Sequence, residues 1–111
     1  MKQTYPLEKE EDAIFAQWLQ YAGLKFSHIS NEATTVQAIM RNKRIGVNSG
    51  VPDFIVITRQ GLLFVEMKRV KGGVVSESQK EWITCLNAVK GVEAIVAKGA
   101  KEAIAFVKKF L

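Results

Sequence analysis

The strongest constraint on the fold is a pair of unbroken apolar runs, Phe54-Ile55-Val56-Ile57 and Leu62-Leu63-Phe64-Val65, joined across Thr58-Arg59-Gln60-Gly61. Continuous runs of this length read as interior strands covered on both faces, and the short connection closes them into a hairpin. Charged residues stand where such strands should not have them. Asp53, after Pro52, opens the first strand, and Glu66-Met67-Lys68 closes the second. Side chains of a strand alternate with a period of two, so Glu66 and Lys68 share a face. Antiparallel pairing brings the start of one strand beside the end of the other, which puts Asp53 near Glu66. Three ionisable groups therefore converge at one sheet edge.

Helical spacing of Ile14, Phe15, Trp18 and Leu19 predicts a first helix over Glu8 to Ala22, with acids at its front and Gly23 at its end. Leu24 to Ile29 alternates as a half-buried strand does. Ala33 to Arg44 suits a short helix, and Arg41 to Gly50, rich in Arg, Lys, Gly, Asn and Ser, reads as a basic, mobile loop. Past Lys71-Gly72-Gly73, Ser76 to Val89 resumes helical spacing, Val92 to Ala97 returns to strand, and Ala100 to Leu111 closes as a helix. The order α-β-(α)-β-β-α-β-α implies a mixed sheet flanked by helices, an α/β fold.

A chain of 111 residues suits one domain with a single core, taken here as residues 1–111. Sixteen Lys and Arg against eleven Asp and Glu leave a net charge of +5, which favours a polyanionic partner such as nucleic acid. Cys85 is the only cysteine, so an intramolecular disulfide and a cysteine-cluster zinc site are excluded. It is expected to be a small buried hydrophobe. No stretch approaches the roughly 20 apolar residues of a membrane span, and the N-terminus lacks the apolar run of a signal peptide. A soluble, cytoplasmic protein with no membrane partner is expected.

Two carboxylates forced together repel unless a cation intervenes, and a hard divalent ion such as Mg²⁺ prefers such oxygen ligands. Such an ion binds a phosphodiester oxygen, lowers the pKa of a bound water and offsets charge on the leaving 3′ oxygen. Lys68 would orient the attacking water or neutralise developing phosphorane charge. Its bland alternative is a salt bridge to Glu66.

Gly50-Val51-Pro52-Asp53, then Glu66-Met67-Lys68 thirteen residues after the aspartate, then Ser76-Glu77-Ser78-Gln79 opening a helix, resembles the VRR-NUC branch of the PD-(D/E)XK nucleases. The preceding acidic helix and His28-Ile29-Ser30-Asn31-Glu32 fall in the expected order, so the resemblance covers nearly the whole chain. It implies a restriction-endonuclease-like core that hydrolyses DNA with Mg²⁺ or Mn²⁺, the metal held by Asp53, Glu66 and the main-chain carbonyl of Met67. The chain looks like the stand-alone phage and bacterial versions, which resemble dimeric Holliday-junction resolvases. That implies a homodimer acting on branched DNA.

The family usually adds an acid from the first helix. Glu11, which shares a face with Phe15 and Trp18, is the choice here and Glu10 the next; either is otherwise a solvated first-turn charge. Gln79 matches a glutamine placed beside the metal, where it would bind a metal water or a phosphate. Against this, Ser76 and Gln79 have the spacing of a capping box. Arg41, Lys43, Arg44, Arg69 and Lys71 flank the site as phosphate-tracking residues would, and equally as a solvated surface would. His28, Trp18 and Trp82 are read as packing residues. Rival functions are a non-catalytic DNA-binding module on the same fold, and a nuclease acting on flaps, single strands or RNA.

Overall fold

The computed structural model describes residues 5–29 and 33–111, so Ser30, Asn31 and Glu32 of the quoted segment lie outside the described residues. The elements are α1 (Glu8–Tyr21), β1 (Lys25–His28), α2 (Val36–Arg44), β2 (Phe54–Thr58), β3 (Gly61–Lys68), α3 (Glu77–Asn87), β4 (Val92–Lys98) and α4 (Ala100–Lys108). They form one sheet in the order β1-β2-β3-β4, antiparallel at its first two junctions and parallel between β3 and β4. The parallel pair is joined through α3, because a parallel connection needs a crossover longer than a hairpin turn. This is the mixed α/β sheet flanked by helices that the pattern implies.

Thr58 pairs with Gly61, so the β2–β3 turn is only Arg59-Gln60. The Thr58 hydroxyl donates to the Gly61 carbonyl at 2.8 Å and locks that register. One face of the hairpin, with Phe54, Val56, Leu63, Val65 and Met67, is fully buried beneath α1 and α4. Phe15 of α1 meets Phe54 edge-on with ring centroids 5.0 Å apart, an arrangement that contributes about 0.5–1.5 kcal/mol beyond burial.

The opposite face is less covered than continuous apolar runs suggest. Here α3 packs on β4 and does not extend across β2, so Ile57 is 51% exposed. Cys85 departs from expectation in the same way. It is exposed, because α3 buries no residue fully and rests on half-buried Trp82, Ile83 and Leu86. The supposed basic loop also differs. Arg41, Lys43 and Arg44 form the last turn of α2, since Thr35 caps that helix by accepting from the Ala38 amide at 3.1 Å. Their charges sit at the carbonyl end, where the helix dipole favours cations. Only residues 45–53 are left as loop.

The sharp entry into α4 needs two residues. Gly99 has φ +89°, a left-handed conformation that favours glycine, and a Cβ there would collide with the Glu11 carboxylate. Glu11 is buried, and its Oε2 accepts from the Ala100 amide at 2.9 Å, satisfying one of the unpaired N–H groups at the start of α4. Glu11→Ala leaves that buried donor without a partner and should cost about 1–3 kcal/mol. A thermal melt checks this, with the midpoint falling by roughly 4–8 °C per kcal/mol in a domain of this size. An unchanged midpoint would show that Glu11 does not hold α4.

Candidate active site

Asp53 stands where the β2–β3 ladder ends. Its main-chain carbonyl accepts from the Ile29 amide, and its carboxylate Oδ2 accepts from the Met67 amide at 2.8 Å. The side chain thus takes the place that a strand carbonyl would occupy. Phe54 pairs with Val65, so continuing the register sets Asp53 opposite Glu66 and Pro52 opposite Met67. The Lys68 carbonyl faces β4, where it accepts from the Gly99 amide at 2.9 Å; alternation then turns the Met67 carbonyl towards β2. Proline has no N–H to offer it there. The Pro52-Asp53 pair therefore frees one main-chain oxygen of β3 and sets a carboxylate beside it.

Glu66 is 3% exposed. Its Oε1 accepts from Gln79 Nε2 at 2.7 Å, while its buried Oε2 has no hydrogen-bond donor among the described residues. Burial, reinforced by the Asp53 carboxyl, pushes the Glu66 carboxyl up to about 9, and Lys68 opposes that rise. Burial and the neighbouring Asp53 carboxyl therefore favour the protonated form of Glu66 in the metal-free site. Gln79 closes the capping box, and its other end hydrogen-bonds Glu66. Its Oε1 accepts from the Ser76 amide at 2.9 Å as a capping-box residue, and its NH₂ reaches Glu66.

The predicted residues do not all meet here. Glu11 belongs to the start of α4 instead, and Glu10 accepts from the Leu7 amide at 3.1 Å. The acids of α1 that sense the site are Glu8 and Asp12, one helical turn apart. The Glu8 carboxyl is raised by burial, with Lys68 opposing and Asp53 reinforcing. The Asp12 carboxyl is raised by burial and then by Asp53 to about 6. Choosing the face of Phe15 selected the core-directed glutamate. The usable signal was the Glu8/Asp12 pair beside that face.

Ion pairs among the described residues join Asp12 to His28 and Glu77 to Lys80, so Lys68 is not neutralised by a salt bridge to Glu66. Loop residue Gly73 packs against the Lys68 stem, where even a Cβ would touch Lys68 Cβ at 3.0 Å. Arg69 follows with its Nε buried and unpaired, while Lys71 lies over the Tyr5 ring. Arg41, Lys43 and Arg44 are exposed on α2. His28 meets Phe54 at a tilt with centroids 4.7 Å apart and lies 3.8 Å from Asp12, but it is exposed rather than packed in the core.

No three His, Cys, Asp or Glu side chains among the described residues form a ready-made metal cluster. The donor set fits a divalent cation in another way: two neighbouring carboxylates, with a buried Glu66 oxygen to which no described residue donates, and a main-chain carbonyl of β3 opposite a proline that has no N–H to give it.

Together the sheet and this cluster define a nuclease-type α/β domain. The VRR-NUC domain profile matches residues 7–101, and the chain belongs to that family. A solved structure described as a VRR_NUC domain protein is 25% identical and superposes with a TM-score of 0.79, covering 96% of this chain and 89% of its own. No curated protein matches the sequence.

The raised Glu66 carboxyl fixes a sign for pH dependence. The unfolded chain releases this proton near 4.5 and the folded chain near 9, so the folded state binds more protons between those values. Stability of the metal-free protein should then fall as pH rises across that window. Melts in EDTA from pH 5 to 9 should show the fall in wild type and a flatter profile in Glu66→Gln. Equal slopes would contradict the assignment.

Proposed function

We propose that the protein is a metal-dependent DNA endonuclease, with Asp53, Glu66, Lys68 and Gln79 as its catalytic groups. The observation that carries this is Glu66, buried opposite Asp53 with one oxygen lacking a donor. A pure binding module has no use for two acids held where phosphate must approach. Mg²⁺ or Mn²⁺ would be held by Asp53, Glu66 and the Met67 carbonyl, with Glu8 replacing Glu11 as the acid from α1. When bound, such an ion activates water and offsets charge on the phosphodiester.

The chain's own groups do the rest. Gln79 Nε2 fixes the Glu66 carboxyl in its orientation, and the Met67 amide fixes Asp53. Lys68, unpaired with Glu66 and propped by Gly73, directs its ammonium to the attacking water or to charge developing on the phosphoryl oxygens. Water is the nucleophile and no covalent intermediate forms. Arg41, Lys43, Arg44, Arg69 and Lys71 track the phosphates. Branched DNA such as a Holliday junction is the proposed substrate and a homodimer the proposed assembly, since a two-fold enzyme presents two sites to a two-fold substrate.

Labelled junction, flap, duplex and single-stranded DNA should be cut with Mg²⁺ or Mn²⁺ and not with EDTA, the junction fastest. Asp53→Asn, Glu66→Gln and Lys68→Ala should each lower the rate by at least ~10²- to 10³-fold. Cutting that survives these changes would remove the assignment, and tight binding without cutting by any ion would establish the binding module instead.

A further inference from the structure

None of the nine residues of α2 is buried, and none is acidic. Val36, Met40 and Ile45 are each more than 60% exposed beside Arg41, Lys43 and Arg44. Between this helix and the following loop lies a cleft of about 190 Å³, lined by Ala33, Ile39, Asn42, Lys43, Val47 and Ser49. That is smaller than the ~300 Å³ of ordinary small-molecule pockets and suits a single planar ring system. Ile39, Val47 and Ala33 supply apolar walls. Asn42 offers a carboxamide, donor and acceptor together, that no described residue satisfies, and Lys43 adds a charge at the rim.

The cleft is tied to the catalytic cluster. The Ser49 carbonyl accepts from Ser78 Oγ at 2.7 Å, and the next residue of α3, Gln79, donates to Glu66 at 2.7 Å. Gly50, at φ +91°, lets the loop lie against α3; a Cβ there would overlap Ser78. The cleft loop and Glu66 are thus both anchored to the first turn of α3.

We propose that this cleft binds one unpaired nucleobase of the substrate, stacked between Ile39 and Val47 and read at its edge by Asn42, with Lys43 on the adjoining phosphate. The proposal rests on the nucleic-acid reading above and sharpens its substrate class. A base within continuous duplex is stacked and paired, and extruding it costs a few kcal/mol, whereas a base at a branch, gap or bulge is already free. Apolar walls beside cations suit a base and its phosphate, since stacking and backbone charge are the two contributions that hold single strands. A partner protein would need acidic groups to meet Arg41, Lys43 and Arg44.

The test uses the full-length Asp53→Asn chain, so that binding is measured without cutting. Two otherwise identical duplexes carry one unpaired nucleotide, either 2-aminopurine or an abasic sugar, and a third is continuous. Anisotropy should show about tenfold tighter binding of the 2-aminopurine duplex than of the abasic one, with a change in 2-aminopurine emission. Adding Asn42→Ala or Val47→Trp should remove that preference while leaving continuous-duplex affinity as it was. Equal binding of base and abasic DNA, or a preference that survives both changes, would overturn the proposal. So would dissociation of a DNA-free dimer by Ile39→Asp in light scattering, which would make this face a protein interface. Base preference in a chain that cuts no DNA would sink the nuclease reading alone; cutting without base preference would sink the cleft alone.

Discussion

The site depends on the register of one hairpin. Because a two-residue turn pairs Thr58 with Gly61, the ladder runs out at Phe54 and Val65, and the next residues, Asp53 and Glu66, must face each other. A slip of one residue would turn every side chain of β3 to the other face and bury Lys68 in the core. The Thr58 hydroxyl bond and the one-sided burial of Val56, Leu63 and Val65 hold the register against that slip. The apolar core is therefore what holds the two acids together against their repulsion.

Burial and the repulsion both favour the protonated form of Glu66, and Asp53 gains a main-chain donor from Met67. Pro52 contributes by subtraction, since its missing N–H leaves the Met67 carbonyl open towards the acids. A proton satisfies only part of this arrangement, and a divalent ion held between the same oxygens would satisfy more of it. Gln79 ties the cluster to α3, so the helix that covers β4 also fixes the Glu66 side chain.

The hairpin and its charged ends could be read from sequence because period-two alternation and turn length are local properties. The mixed sheet also followed from the order of elements, and family membership from the spacing of Asp53, Glu66, Lys68 and Gln79. Which side of a helix meets what is decided by tertiary packing, which local patterns do not carry. Glu11 shares the face of Phe15 and Leu19, and that face goes to the core and to the start of α4, leaving Glu8 and Asp12 beside the acids. For α2, the helical pattern from Ala33 to Arg44 holds, and what fails is the overlapping loop reading of Arg41 to Arg44, because the Gly and Ser that suggest a loop all lie beyond Arg44. Gln79 makes the capping box that its spacing suggests, and the free end of the same carboxamide reaches Glu66, a contact that spacing alone does not give.

The central claim is that the Asp53–Glu66 pair exchanges a proton for a divalent ion. Isothermal titration of Mn²⁺ into the protein near pH 7, in two buffers of different ionisation enthalpy, measures both events at once. The account predicts saturable binding with release of about one proton per ion, and loss of that release in Glu66→Gln. Heats that are independent of buffer, or unchanged by Glu66→Gln and Asp53→Asn, would contradict it.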